Sequence, residues 1–310
     1  MLLSVLNRIH NPFCAAGILA AMNFKAIARR AMFTGSASYL DIFILAPGIH
    51  VQQMASEINV GEHPRACDMS SGYVFLIQNP ATISFLLRIS KTGFLTKVHV
   101  SPPLPHRTTF GADSFDLVLY IGCASLTIGT IGILAAIADW WALTAVFALM
   151  AARLLNIIVV KRRAVLGWKG AFESGDADLF VILSRDRWVR IQGAMNDVKN
   201  VTAGSWLQKM SDEESCATVV ATLFVYLSTI LAFNASIFGS LLLVAMIISA
   251  LGLLGLANTM TRDLHMFRHV VRVAEEPKIR PGSRFDVVQQ LVLECASDTW
   301  AIALGLVPPR

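Results

Sequence analysis

The chain has 310 residues, of which 55% are hydrophobic and only 15% charged, and its mean hydropathy is +0.59. Soluble domains carry about 25% charged residues, so this composition argues against a wholly water-soluble protein and places part of the chain in lipid. The net charge of +5 comes from basic residues that flank apolar runs, a pattern that favours a membrane protein over a nucleic-acid-binding one.

Residues 1–113 have the least defined pattern in the chain. The first forty residues contain no acid and carry Arg8, Lys25, Arg29 and Arg30, a composition that resembles a mitochondrial transit peptide. An artefact of gene prediction at 1–40 is the alternative. The rest of this region mixes short strand-like runs with prolines, and we expect it to lie in the cytosol without a well-defined fold.

Four apolar runs each fit one crossing of a bilayer, which takes about 20 helical residues. The connections within the two pairs are Asp139 and residues 234–236, and connections this short favour antiparallel neighbours. The sequence therefore predicts a mainly α, integral membrane protein with two antiparallel transmembrane helical hairpins at 114–163 and 216–258. The four spans are Leu117–Ala138, Trp140–Val160, Cys216–Phe233 and Ile237–Ala257.

The basic residues at the ends of the spans predict the orientation. Lys161, Arg162 and Arg163 close the second span, and three arginines follow the fourth within 262–272, whereas the connections contain no Lys or Arg. The positive-inside rule places both tails and the middle segment in the cytosol of a multi-pass protein. The endomembrane system or the plasma membrane fits this pattern, with the mitochondrial inner membrane as the alternative.

Asn234 begins an Asn-Ala-Ser sequon on the predicted outer side and is a candidate for N-glycosylation. Its closeness to the bilayer argues against use by the transferase. Small residues four apart, such as Ser125 and Gly129, let helices approach closely. Packing within the four helices and formation of a homo-oligomer both agree with that spacing.

Arg153 is a basic residue well inside the second span, and Asn156 shares its helix face. A charged residue inside a span is a functional candidate, so this pair is the candidate ligand site. Arg153 is also about 12 Å from the predicted cytosolic end, so its side chain could reach towards the membrane surface or make a structural hydrogen bond. The spans offer it no Asp, Glu or His partner, which argues against a proton relay.

The segment 164–215 predicts a small cytosolic β-containing subdomain. Runs at 179–183 and 188–192 surround a four-residue turn and form a β-hairpin. Its arginines invite a phosphate-binding interpretation, but mixed charges are more often a solvated face. A protein partner is the expected ligand of this segment.

Residues 259–310 predict a basic juxtamembrane segment and an amphipathic helix from Phe285 to Cys295, which we expect in the membrane interface. Asp263, His265 and His269 have no third histidine and no glutamate base nearby, so we predict a juxtamembrane surface helix there and no metal site. The chain contains no catalytic or nucleotide-binding motif, which predicts no cofactor and leaves the question of an enzyme open.

Residues 160–260 contain the segments GWKGAF, DADLFVILSRDRWVRIQG, DVKNVTAGSWL, VYLSTILAFNAS and LGLLGLAN. Through these segments, this part of the chain resembles multi-pass membrane proteins of filamentous fungi. The resemblance implies a membrane location and an ascomycete-type source. It transfers no catalytic residue, and its link to secondary metabolism is one of association. A non-catalytic scaffold or accessory protein is therefore the first hypothesis. A small membrane-embedded enzyme acting on an apolar metabolite or lipid is the second, and a transporter or channel subunit is the third.

Overall fold

A computed structural model of the protein describes residues 15–57, 59, 61–104, 114–275 and 283–308. The chain forms two compact units. Each unit is built from three segments, and the segments of the two units alternate along the sequence. The helical unit contains residues 1–55, 108–164 and 209–261. The sheet unit contains residues 56–107, 165–208 and 262–310.

The helices of the described residues are α1 (Ala15–Ala20), α2 (Ala26–Thr34), α3 (Pro80–Ile89), α4 (Ser114–Ala136), α5 (Trp140–Arg163), α6 (Met195–Thr202), α7 (Asp212–Phe233), α8 (Ile237–Met260), α9 (Arg284–Cys295) and α10 (Thr299–Ala303). Two 3₁₀ helices lie between α2 and the first strand, at Tyr39–Phe43 and Ile49–Glu57. The strands are β1 (Arg65–Asp68), β2 (Val74–Leu76), β3 (Leu95–Val100), β4 (Asp176–Leu183), β5 (Arg187–Ala194), β6 (Leu264–Met266) and β7 (His269–Val273).

Four helices are long and apolar enough to cross a bilayer, so the four predicted apolar runs do form helices of membrane-spanning length. They are residues 117–136 of α4 and the whole of α5, α7 and α8. The boundaries differ from the prediction where caps extend a helix. Helix α7 begins at Asp212 because the Ser211 hydroxyl accepts from the Glu214 N–H while the Glu214 carboxylate accepts from the Ser211 N–H.

The packing of the long helices does not follow their order in the sequence. Helix α5 lies mainly along α7, and α4 lies mainly along α8. Ala145 and Ala152 of α5 are buried in the same apolar cluster as Val225 and Ala232 of α7, and small residues let helices approach closely. The predicted pairing of consecutive spans as hairpins is therefore not the main contact of this unit.

Residues 15–55 pack on the long helices, although we expected no well-defined fold for them. Helix α1 contacts α7 and α8, α2 contacts α8, and the first 3₁₀ helix contacts α4 and α5. Gly48 permits a close turn, since it has φ +92° and a Cβ there would lie 1.9 Å from the carbonyl oxygen of Phe24. This N-terminal segment brings further polar side chains to the helices.

The seven strands form one sheet in the order β2-β1-β4-β5-β3-β7-β6. Strands β3 and β5 are parallel, and the other neighbours are antiparallel. The β4–β5 hairpin is the one that the sequence predicted, with longer strands. The sheet as a whole is larger than the predicted subdomain, because residues 65–100 and 264–273 also supply strands.

The C-terminal helices cover one face of this sheet. Val288 and Leu291 of α9 and Trp300 of α10 are buried against Phe180 of β4, and the ring centroids of Phe180 and Trp300 are 5.1 Å apart. The apolar face that led us to expect a helix in the membrane interface therefore packs on the sheet instead. His265 and His269 lie in the β6–β7 hairpin, whereas the sequence predicts a juxtamembrane surface helix there.

Candidate functional site

Arg153 lies at the centre of a buried polar cluster in the helical unit, and its side chain is 1% exposed. Its Nε donates to the carbonyl oxygen of Asp41 at 3.1 Å, and its Nη1 donates to Oε1 of Gln52. Its Nη2 lies 3.8 Å from Oδ2 of Asp41, which completes an ion pair. The side chain therefore stays within the protein and does not extend to the surface.

Asp41 is held in place by the cap of the first 3₁₀ helix. Its Oδ2 accepts from the backbone N–H of Ser38 at 3.0 Å, and the Ser38 hydroxyl accepts from the N–H of Leu40. Among the described residues, Oδ1 of Asp41 and Nε2 of Gln52 are buried without a hydrogen-bond partner. The cluster thus keeps one free acceptor and one free donor close to a charged pair.

Asn156 lies one helical turn beyond Arg153 and belongs to the same cluster. Its Nδ2 donates to the carbonyl oxygen of Ala152 at 3.0 Å, and its Oδ1 accepts from Nε2 of Gln53 at 3.1 Å. Gln53 in turn accepts from Nη1 of Arg163 at 2.9 Å. Successive glutamines of the second 3₁₀ helix therefore bind the two residues that the sequence singled out.

The cluster can act structurally or chemically. Buried polar groups need hydrogen-bond partners, and here the N-terminal segment supplies them to α5. The sequence had shown no acid near Arg153, because Asp41 is remote in the chain and lies outside the apolar runs. No sequence signal linked the two residues.

Asp139, in the connection between α4 and α5, binds Ser236, in the connection between α7 and α8. Its Oδ1 accepts from the N–H of Ala142 and caps α5, while its Oδ2 accepts from the N–H and the hydroxyl of Ser236 at 2.9 and 2.5 Å. Gly239 is required beside it, because a Cβ there would lie 2.1 Å from Oδ2 of Asp139. Asn234, the candidate glycosylation residue, is exposed and donates to the carbonyl oxygen of Ile230.

The sheet unit contains a cleft of about 460 Å³. Its rim includes two internal pairings: Lys199 with Glu173 at 2.7 Å, and Lys169, whose Nζ donates to Oδ1 of Asn200 at 2.5 Å. Tyr73 is exposed at the cleft and stacks on Phe75 with centroids 6.1 Å apart. Residues 169–203, within the predicted partner-binding segment 164–215, supply ten of its fourteen lining residues.

Asp68 also lines the cleft and is almost fully buried. Its Oδ2 accepts from the hydroxyl groups of Ser70 and Ser71, each at 2.6 Å, and from the Ser71 N–H. Burial alone raises the pKa of a carboxyl group, but these hydrogen bonds outweigh burial and hold the pKa of Asp68 below its ordinary value. The side chain is therefore an anion at neutral pH.

The arginines of the β4–β5 hairpin make internal contacts. Arg190 binds Asp178 through Nε and Nη2 and binds Glu294 through Nη1 at 2.6 Å. The hydrogen bonds to Asp178 raise the pKa of Arg190 above its ordinary value. Arg187 donates to the carbonyl oxygen of Leu87 at 3.0 Å. Both side chains hold the sheet unit together.

The fold and these clusters define a class: a protein with four candidate membrane-spanning helices and a separate unit built on a seven-stranded mixed sheet. Comparison with protein-family models, with curated proteins and with solved structures gave no match. The function is therefore inferred from the buried polar cluster and the cleft.

Proposed function

We propose that the protein is a non-catalytic scaffold or accessory protein of a membrane, in which the four long helices hold the chain in the bilayer and the sheet unit binds a partner. The observation that carries this proposal is the state of Arg153 and Asn156. Residues of the N-terminal segment already bind both, so the polar groups of the second span serve the fold.

The cleft of the sheet unit supports the second half of the proposal. It is open, its charged rim is internally paired, and Tyr73 presents an aromatic ring at its edge. Exposed aromatic residues are enriched at sites of protein recognition. We therefore assign the partner surface to this cleft, which the predicted partner-binding segment 164–215 lines together with residues 68–75.

A small membrane-embedded enzyme acting on an apolar metabolite or lipid is the alternative. Asp41 favours it, because it supplies a carboxylate at Arg153 and keeps Oδ1 unpaired. A general acid or base needs such a group within reach of its substrate. The resemblance to fungal membrane proteins is compatible with either function.

Complementation of a gene deletion separates the two functions. The double variant Asp41→Leu with Arg153→Leu replaces the buried ion pair by two apolar side chains. The variant Tyr73→Ser removes the exposed aromatic ring from the edge of the cleft. Metabolite and lipid profiles are compared between strains with equal protein abundance, and Leu293→Ala, which also removes an exposed apolar side chain from the sheet unit, is the matched control.

The scaffold predicts that the double variant complements and Tyr73→Ser does not. Loss of one product with accumulation of its precursor in the double variant, at normal abundance, would establish the enzyme instead. A fluorescent tag on the wild-type protein identifies the membrane in the same strains.

The proposed orientation has its own test. Cys216 is exposed in the first turns of α7, on the side that we assign to the cytosol. In a background with the other cysteines replaced, an impermeant maleimide should label Cys216 only after permeabilisation. It should label Asn234→Cys, at the opposite end of α7, in intact cells or sealed vesicles of outside-out orientation. The reverse pattern would invert the topology and move the sheet unit to the outer side.

A further inference from the structure

We propose that residues 165–172, the aromatic loop, bind the headgroup region of the bilayer and anchor the sheet unit to it. The loop exposes four apolar side chains in eight residues, at Val165, Leu166, Trp168 and Phe172. Trp168 is 89% exposed and Phe172 is 80% exposed. Concentrated exposed apolar surface marks an interaction site.

The backbone of the aromatic loop is held in place while these side chains remain free. Nε2 of Gln208 donates to the carbonyl oxygen of Val165 at 3.1 Å, and Nζ of Lys199 donates to that of Ala171 at 3.2 Å. Lys169, between the two aromatic residues, donates to Asn200. The loop is thus held against α6 and the residues that follow it, while its two aromatic side chains stay exposed. Such a surface loses little conformational entropy when it binds.

Its position in the chain identifies the bilayer as the occupant. Trp168 follows Arg163, the last residue of a candidate span, by five residues, so their Cα atoms lie within about 18 Å of each other. Tryptophan prefers the membrane interface, where its ring contacts apolar chains and its N–H stays wet. Lys161 and Arg162 lie at the same end of the span and favour anionic headgroups.

The inference rests on the membrane location, and it concerns the exposed side chains of Trp168 and Phe172, which are not among the residues that line the cleft, although Lys169, Gly170 and Ala171 of the same loop are. The test uses the full-length protein in vesicles of phosphatidylcholine and phosphatidylglycerol, with and without lipids brominated near the headgroup. Subtracting the emission of Trp168→Phe from that of the wild type isolates Trp168. The same subtraction with Trp140→Phe isolates the emission of Trp140, the first residue of α5, which is the control for membrane insertion.

We expect brominated lipid to quench most of the Trp168 emission and iodide in the water to quench little of it. If iodide quenches Trp168 while brominated lipid quenches only Trp140, the aromatic loop lies in water and the inference is wrong. If neither quencher reaches Trp168, a protein surface covers it, and in a purified sample that surface is a second copy. If brominated lipid reaches neither tryptophan, the membrane location fails together with the inference.

Discussion

Arg153 and Asp41 lie 112 residues apart in the sequence and form a buried ion pair in the helical unit, with Nη2 and Oδ2 3.8 Å apart. Breaking a buried pair leaves an uncompensated charge, which costs about 3–5 kcal/mol. Replacing both partners by apolar residues removes that charge at a much smaller cost. The pair therefore predicts a stability pattern that a surface arginine would not produce.

We expect Arg153→Leu alone to lower the thermal stability of the detergent-solubilised protein sharply, and Asp41→Leu alone to do the same. The double variant should be more stable than Arg153→Leu or Asp41→Leu, because no unpaired charge is left, but less stable than the wild type, because Ser38 and Gln52 lose hydrogen-bond partners. Size-exclusion chromatography after heating to a series of temperatures measures the loss of folded protein for all three variants. Arg162→Leu, an exposed arginine on the same helix, should change little. Wild-type stability of Arg153→Leu would show that the pair is not formed.

Asp139 predicts a second coupling, between the connections of the long helices. Asp139→Ala removes the cap of α5 and both hydrogen bonds from Ser236, and we expect a loss of about 2–3 kcal/mol. A double-mutant cycle with Ser236→Ala should give a coupling of about 0.5–3 kcal/mol. Asn234→Ala, which leaves these contacts intact, is the control. Additive effects of Asp139→Ala and Ser236→Ala would show that the Ser236 hydroxyl does not bind Asp139, since the backbone N–H of residue 236 is present in both backgrounds.

Arg190 predicts that geometry as well as charge stabilises the sheet unit. It binds Asp178 with two nitrogens and Glu294 with the third, and a lysine cannot reproduce this fork. Arg190→Lys should therefore cost about 1.5–3 kcal/mol in urea unfolding. Arg185→Lys in the exposed turn of the same hairpin should cost almost nothing. Equal stabilities of the two variants would contradict the role of the fork.

The long apolar helices were predictable because each signal lies within one continuous run of the sequence. The β4–β5 hairpin was predictable for the same reason, since its strands and turn are adjacent. The partner of Arg153 was not, because Asp41 and Gln52 belong to short irregular elements in a region without periodicity. The sheet was underestimated because β1 and β2, β3, and the β6–β7 hairpin reach it from distant segments.

The C-terminal helix shows a different limit of sequence patterns. An apolar face at helical spacing is the same whether it contacts lipid or a sheet. The apolar face of the C-terminal helices packs on the sheet, where Val288, Leu291 and Trp300 are buried in one cluster with Phe180. Trp168 and Phe172 of the aromatic loop stay exposed in the structure, and it is this exposure, not a periodic pattern, that distinguishes them.

Cys67 predicts how the sheet unit responds to alkaline pH. Burial, together with the neighbouring Asp68 carboxylate, raises the pKa of the Cys67 thiol from 9.0 to about 11. The folded state therefore holds the proton in a range where the unfolded state releases it. The contribution of this thiol to stability is complete below pH 9 and is lost as the pH rises from 9 to 11.

Comparison of the wild type with Cys67→Ala isolates this contribution. We expect the wild type to lose more unfolding free energy than Cys67→Ala between pH 9 and 11, and the two to run parallel below pH 9. Maleimide at pH 8 should modify the exposed Cys216 and leave Cys67 unmodified until the protein unfolds, as peptide mass spectrometry would show. Rapid labelling of Cys67 in the folded protein, or parallel curves up to pH 11, would show that the thiol is not buried beside Asp68.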